Sequence, residues 1–150
     1  MLDIKENVAR LLKPIWVCNG VVSSAAFSLR PHIHETYISV LRETVDSFSD
    51  DAQKVSKNSS ITYASMNVGE LGCHKVEGIE DKVAFDVTET DNASLKSHAG
   101  IFISINNQML VGGEPFESIE LKRGKSADDV LLIIRKSLAR FASNRVKTIE

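Results

Sequence analysis

The chain has 150 residues, so a single domain is expected, with a core large enough to hold together without a metal or a disulfide. Its hydrophobic content of 43% and charged content of 25% are ordinary for a globular protein, and two cysteines exclude a secreted disulfide framework. The net charge of −2 selects no partner, but it is unevenly spread: residues 1–121 carry 10 basic and 17 acidic side chains, and residues 122–150 carry 8 and 3.

In chain order, residues 3–12 predict a short helix. Asp3 and Glu6 have capping-box spacing, and Ile4, Val8, Leu11 and Leu12 share one helical face. Pro14 ends it. This N-terminal segment reads neither as a secretory signal nor as a membrane span, and no window approaches the roughly 18 apolar residues a spanning helix needs. Asn19-Gly20 lies between the apolar runs Ile15–Cys18 and Val21-Val22, which is a tight-hairpin signature. Ser23 to Pro31 reads as irregular, anchored by Phe27. Glu35 to Arg42 predicts a strand buried at Ile38 and Val40.

A short helix is expected over 46–56, with Phe48, Ala52 and Val55 on one face and Ser47 or Ser49 as cap. A strand follows at Ile61–Ser65. Asn67 with Glu70 predicts a helical turn over Val68–Leu71, stopped by Gly72. Lys75–Glu77 and Val83–Val87 read as strands, and residues 88–97 as a polar loop. The nearly all-apolar run Ile101–Ile105 predicts an interior strand. Asn106-Asn107 turns the chain toward Met109–Val111, and Ile119–Leu121 is a further short strand candidate. Residues 127–143 predict a helix capped by Ser126 with Asp129, burying Val130, Ile134, Leu138 and Phe141, with Leu131 and Ile133 widening the face. Arg145 to Glu150 reads as a frayed tail. The fold class is therefore α+β, a single domain with a mixed or mainly antiparallel sheet packed by a C-terminal helix.

Few residues suggest chemistry. In an extended chain His32 and His34 point to one face, where two imidazoles could share a metal, with His98, His74 or Glu35 as a third ligand. No other residues have ligand spacing, and a His pair beside a proline reads first as solvated surface, so no metal is assigned. His98 lies at the mouth of the buried strand before Ala99-Gly100, small residues that allow close approach. It is the catalytic candidate, although a histidine there also suits a loop-fixing hydrogen bond. Cys73-His74 is a poor thiolate–imidazole pair because neighbours on a turn seldom face each other. Ser23-Ser24 lacks a nucleophile elbow, Gly112-Gly113-Glu114 lacks the elements of a phosphate loop, and no dinucleotide fingerprint is present. No cofactor is implied. Lys122, Arg123, Lys125, Arg135, Lys136, Arg140, Arg145 and Lys147 could form a phosphate-facing patch, but the acidic balance, the 6% aromatic content and the lack of a recognition motif argue against nucleic acid.

Val22-Ser23-Ser24-Ala25-Ala26-Phe27, followed by Tyr37-Ile38-Ser39-Val40-Leu41-Arg42, resembles the opening of a group of small, uncharacterised microbial proteins. Ala64–Gly72 and Ser97-His98-Ala99-Gly100-Ile101 extend the resemblance, which spans roughly residues 15–105. The C-terminal helix lies outside it, and His32-Ile33-His34 is not part of the pattern. The group brings no activity with it. The resemblance implies that Phe27, the Ser39-Val40 strand and His98 belong to one arrangement.

The leading functional expectation is a non-enzymatic, cytoplasmic interaction or accessory protein with an unidentified protein partner. One alternative is a small hydrolase or transferase with His98 as the catalytic group and Phe27, Arg30, His32, His34 and Arg42 as binding groups. The other is a nucleic-acid-associated protein using Arg135, Lys136 and Arg140. No membrane association is expected.

Overall fold

Val8-Ala9-Arg10-Leu11-Leu12 places apolar side chains on both faces of an extended chain, a pattern that suits a strand with neighbours on either side and cover above and below. A computed structural model describes residues 2–57, 60–120 and 125–149. In it Asn7–Leu12 is β1, a central strand, and the helix expected over 3–12 is absent. Asp3 instead closes a local turn: its carboxylate accepts from the Lys5 amide at 2.9 Å and its carbonyl from the Glu6 amide at 3.0 Å. The spacing that suggested a helix arises because both strand faces are apolar.

The hairpin strands β2 (Val17–Cys18) and β3 (Val21–Val22) form a separate two-stranded ribbon. Its turn residues Asn19 and Gly20 have φ of 50° and 77°, as the sequence requires. A one-turn 3-10 helix at Ser24–Phe27 follows and buries Ala26 and Phe27. The remaining elements are β4 (Ile38–Arg42), α1 (Phe48–Val55), β5 (Ile61–Asn67), α2 (Val68–Gly72), β6 (Val83–Glu89), β7 (His98–Ile105), β8 (Gln108–Met109), α3 (Ala127–Ala142) and β9 (Val146–Ile149). The main sheet runs β6-β7-β4-β1-β5-β9, with β8 beside β7, and every described pair is antiparallel. The protein is α+β, and α3 packs on the sheet.

Register places the side chains. Val8 pairs with Arg42 and Met66, Ile38 with Ile101, and Phe85 with Ile103, so these residues share one face. That face joins Phe27, Val130, Ile134 and Leu138 in the main core. α3 begins with a reciprocal capping box between Ser126 and Asp129. It buries Val130, Ile134 and Leu138 as expected, whereas Phe141 is only half-buried. On the opposite face Leu41 and Ile61 pack under Ala52 of α1, with Leu11, Phe48 and Ile149. Asp51 anchors α1 there: its Oδ2 accepts from the Ser97 amide at 2.9 Å, the Ser97 hydroxyl at 2.6 Å and the Ser47 hydroxyl at 2.9 Å. Burial opposes ionisation of this carboxyl, but the Ser97 and Ser47 bonds outweigh it and hold its pKa below the ordinary range.

Four local expectations are corrected. Val146–Ile149 is an edge strand on β5 rather than a frayed tail. Lys75–Glu77 forms no strand, because the chain there turns through Gly78 before β6. Val55 does not join the buried face of α1; it is 51% exposed. Ile119 and Glu120 form no strand, and Leu121 lies outside the described residues. Among the described residues no helix is long and apolar enough to cross a membrane.

Candidate functional site

β1 pairs with β5 along its whole length, from Asn7↔Asn67 to Leu12↔Thr62, but with β4 only at Val8↔Arg42 and Ala9↔Leu41. Beyond Ala9 the two strands part. The Arg10 side chain enters the opening: its Nε donates to the Ala26 carbonyl at 2.9 Å and its Nη1 to the Ser39 carbonyl at 2.9 Å. Ser39 lies on the stretch of β4 that β1 leaves unpaired, so a side chain supplies a donor that a ladder would otherwise provide. Among the described residues Nη2 has no hydrogen-bond partner and no carboxylate forms an ion pair with Arg10. Burial pushes its pKa down from 12.5 to about 10, while the Glu35 charge raises it and the Arg30 charge lowers it. It remains a cation at neutral pH.

The opening leads into a cleft of about 670 Å³, within the range of small-molecule sites. Strand parity divides the lining into two walls. Arg10 is on the α3 side of the sheet, and the segment after β1 adds Lys13 and Trp16. The Trp16 ring is flanked by both cations, with Arg10 Cζ 5.4 Å and Lys13 Nζ 5.1 Å from its centroid. Leu11 and Leu41 are on the opposite face, with Ile61 and the end of α1 at Val55. Among the described residues, Arg10, Lys13, Arg30 and Lys57 line the cleft with one carboxylate, Glu35. That carboxylate is already taken by Arg30, through the Arg30 amide at 3.0 Å, Nε at 3.2 Å and Nη2 at 3.0 Å. A cationic recess thus stands on a chain whose net charge is −2.

Two of the sequence candidates, Arg30 and His98, line this cleft; Phe27, His32, His34 and Arg42 do not. His98 is 8% exposed, and its Nδ1 is hydrogen-bonded to the Thr90 hydroxyl. Its ring meets Tyr37 edge-on at 5.9 Å. Burial lowers its pKa below the ordinary 6.5, so the imidazole is neutral at pH 7. The close approach allowed by its small neighbours is made by Tyr37. A Cβ on Gly100 would lie 2.7 Å from that ring. β4 is adjacent to His98, through Leu41↔His98 and Ser39↔Gly100, and its Val40 shares the core with Phe27, which lies on the face of the sheet opposite His98.

Pro31–Ile33 is a 3-10 turn, and His34 follows in the left-handed region at φ 47°, so the extended geometry that would aim His32 and His34 at one metal is absent. Both are exposed, and His34 Nδ1 is 3.6 Å from Glu114 Oε1. Among the described residues no three His, Cys, Asp or Glu side chains group as metal ligands. Arg42 is bound to Glu6 and Glu89. On α3, Arg135 turns back to the Leu131 carbonyl and the Ser28 hydroxyl, leaving Lys136 and Arg140 exposed; Lys122 and Arg123 lie outside the described residues. Cys73 is exposed and free, while His74 is held by Ser137 at 2.7 Å between Phe85 and Phe141.

Arg10, Lys13 and Trp16 escaped sequence reading because a helix over 3–12 puts Arg10 on its solvent side. The available signal was a lone arginine inside the run Val8–Leu12, flanked by apolar residues on both strand faces. No family model, curated protein or solved structure matches this chain.

Proposed function

We propose that this is a non-enzymatic binding module that takes an acidic group into the opening between β1 and β4. The observation that carries the reading is Arg10: a half-buried guanidinium held by two neutral carbonyls, its Nη2 unbonded among the described residues, at the head of a cleft of about 670 Å³. A cation without a paired carboxylate is a pre-arranged anion site, and Arg is the side chain best suited to oxyanions. In this reading the accessory role is ligand-dependent, with the bound acid altering what the surrounding surface presents to a protein partner. We place the protein in the cytoplasm, where its two free and exposed cysteines would stay reduced.

The test uses Trp16, the only tryptophan. Inorganic phosphate or acetate is expected to change its fluorescence saturably, and Arg10→Gln to abolish the change while the fold, read by circular dichroism, persists. An unchanged response in Arg10→Gln would remove the reading.

A hydrolase or transferase using His98 is the second reading, supported by its place in the cleft lining. Against it, the imidazole's only side-chain hydrogen-bond partner among the described residues is Thr90. Turnover of p-nitrophenyl acetate or p-nitrophenyl phosphate that His98→Gln eliminates would put this reading first.

A further inference from the structure

Resting on the binding reading above, we infer that the ligand is an amphipathic anion: a carboxylate or phosphate head joined to an aliphatic tail of about six to ten carbons, sized to a cleft of several hundred Å³. The head and the tail follow from different walls of the same cleft. Arg10, Lys13 and Arg30 gather on the wall that continues past β1, and the first two lie against the Trp16 ring. Glu35 pairs with Arg30, which leaves Arg10 and Lys13 as the wall's cations without an ion pair among the described residues. Opposite, successive residues of β1 project to the other side of the sheet, so Leu11 is one residue from Arg10 yet packs with Leu41 and Ile61, and the lining on that side continues to Val55.

A free inorganic anion would use only the first wall. A neutral hydrocarbon would leave Arg10 half-buried and without an acidic partner. Only a molecule with both parts satisfies both walls. The exposure of Val55, at 51%, fits this account: it is an aliphatic side chain at the cleft's open side, uncovered by the protein itself. A tail lying against it would remove that surface from water.

The experiment compares six probes on the full chain by Trp16 fluorescence and calorimetry: acetate, inorganic phosphate, octanoate, octyl phosphate, octanol and octylammonium. Octanoate is expected to bind at least about tenfold more tightly than acetate, and octyl phosphate than inorganic phosphate, from burial of several methylenes. Octanol and octylammonium are expected to bind at least about tenfold more weakly than octanoate, for lack of an acidic head. Whichever acid binds more tightly identifies the head. Val55→Asn should reduce the octanoate-to-acetate ratio and leave acetate unchanged. Lys13→Gln, on an exposed side chain, should weaken both acids and spare octanol. Equal affinity for acetate and octanoate would overturn the tail while preserving the anion site. Octanol binding as tightly as octanoate would overturn the head. Failure of all the acids to bind would overturn the anion site and this inference together.

Discussion

Two arginines mark the two ends of the β1–β4 pair, and they are held in opposite ways. At the closed end Arg42 Nε donates to Glu6 Oε1 at 2.5 Å, Nη2 to Glu6 Oε2 at 3.3 Å and Nη1 to Glu89 Oε1 at 2.8 Å. The Glu6 hydrogen bond raises its pKa, burial opposes this, and the charges on Glu6 and Glu89 add to the rise. At the open end Arg10 has carbonyls in place of carboxylates, and its pKa falls to about 10. Both ends use a guanidinium to join strands. Where β1 and β4 are paired the guanidinium is matched by carboxylates, and where they part it is held by carbonyls alone. Under the proposed function, Arg42 serves the fold alone, whereas Arg10 both bridges the strands and meets a ligand.

The largest effect is expected at Arg42. Among the described residues, Arg42→Met leaves Glu6, whose side chain is 9% exposed, with only the Thr44 hydroxyl at 3.2 Å. The expected loss is about 3 kcal/mol in urea unfolding, because an acid is left buried without its cation. Glu6→Leu with Arg42→Met should recover much of that loss, since removing both charges removes the desolvation problem. A loss below about 1 kcal/mol would mean that the pair does not hold the closed end.

Arg10→Met is the matched test at the other end. Two carbonyls lose a donor, but they border the cleft, and a half-buried unmatched charge disappears with it. The net change in stability is expected to stay within about 1 kcal/mol, while stabilisation by added phosphate is lost. Thermal melts with and without phosphate measure both quantities. If Arg10→Met proves as destabilising as Arg42→Met, both arginines serve the fold.

The smallest effect is on pH. Burial lowers the pKa of His98 beside the cleft and of His74 at α3 below 6.5 in the folded state. The unfolded chain therefore takes up protons first as the pH falls. This contribution to stability is complete above about 6.5 and is lost as the pH drops below that value. Melting temperature should decline modestly from pH 7.5 to pH 5.5, and His98→Gln and His74→Gln should each flatten part of the decline. A melting temperature that rises over this interval would show that the imidazoles are not buried as neutral groups.

Much of the architecture follows from local chemistry in the sequence. Asn19-Gly20 and Asn106-Asn107 dictate their turns because they tolerate positive φ. Ser126 and Asp129 mark the start of α3, and Val130, Ile134 and Leu138 mark its buried side, since cap and period are readable within one turn. Asn67 likewise starts α2, where its side chain accepts from the Glu70 amide at 2.9 Å. The α+β class rests on such signals. The site was legible only in fragments, Arg30 and His98, which are far apart in sequence and carry no motif.

Which strand lies in the middle, and where its pairing stops, is set by packing between distant segments. Val8–Leu12 is apolar on both faces because β4 and β5 flank it and α3 and α1 cover it, and period alone reads that pattern as a helix. Val146–Ile149 becomes a strand because β5 has a free edge to offer. Arg10 comes to line the cleft because β4 leaves β1 after Ala9, where its side chain meets the Ser39 and Ala26 carbonyls and the Trp16 ring, segments distant in the chain. Caps and turns depend on neighbours a few residues away, which a sequence displays. The parting of two strands depends on long-range contacts, which form only once the chain has folded.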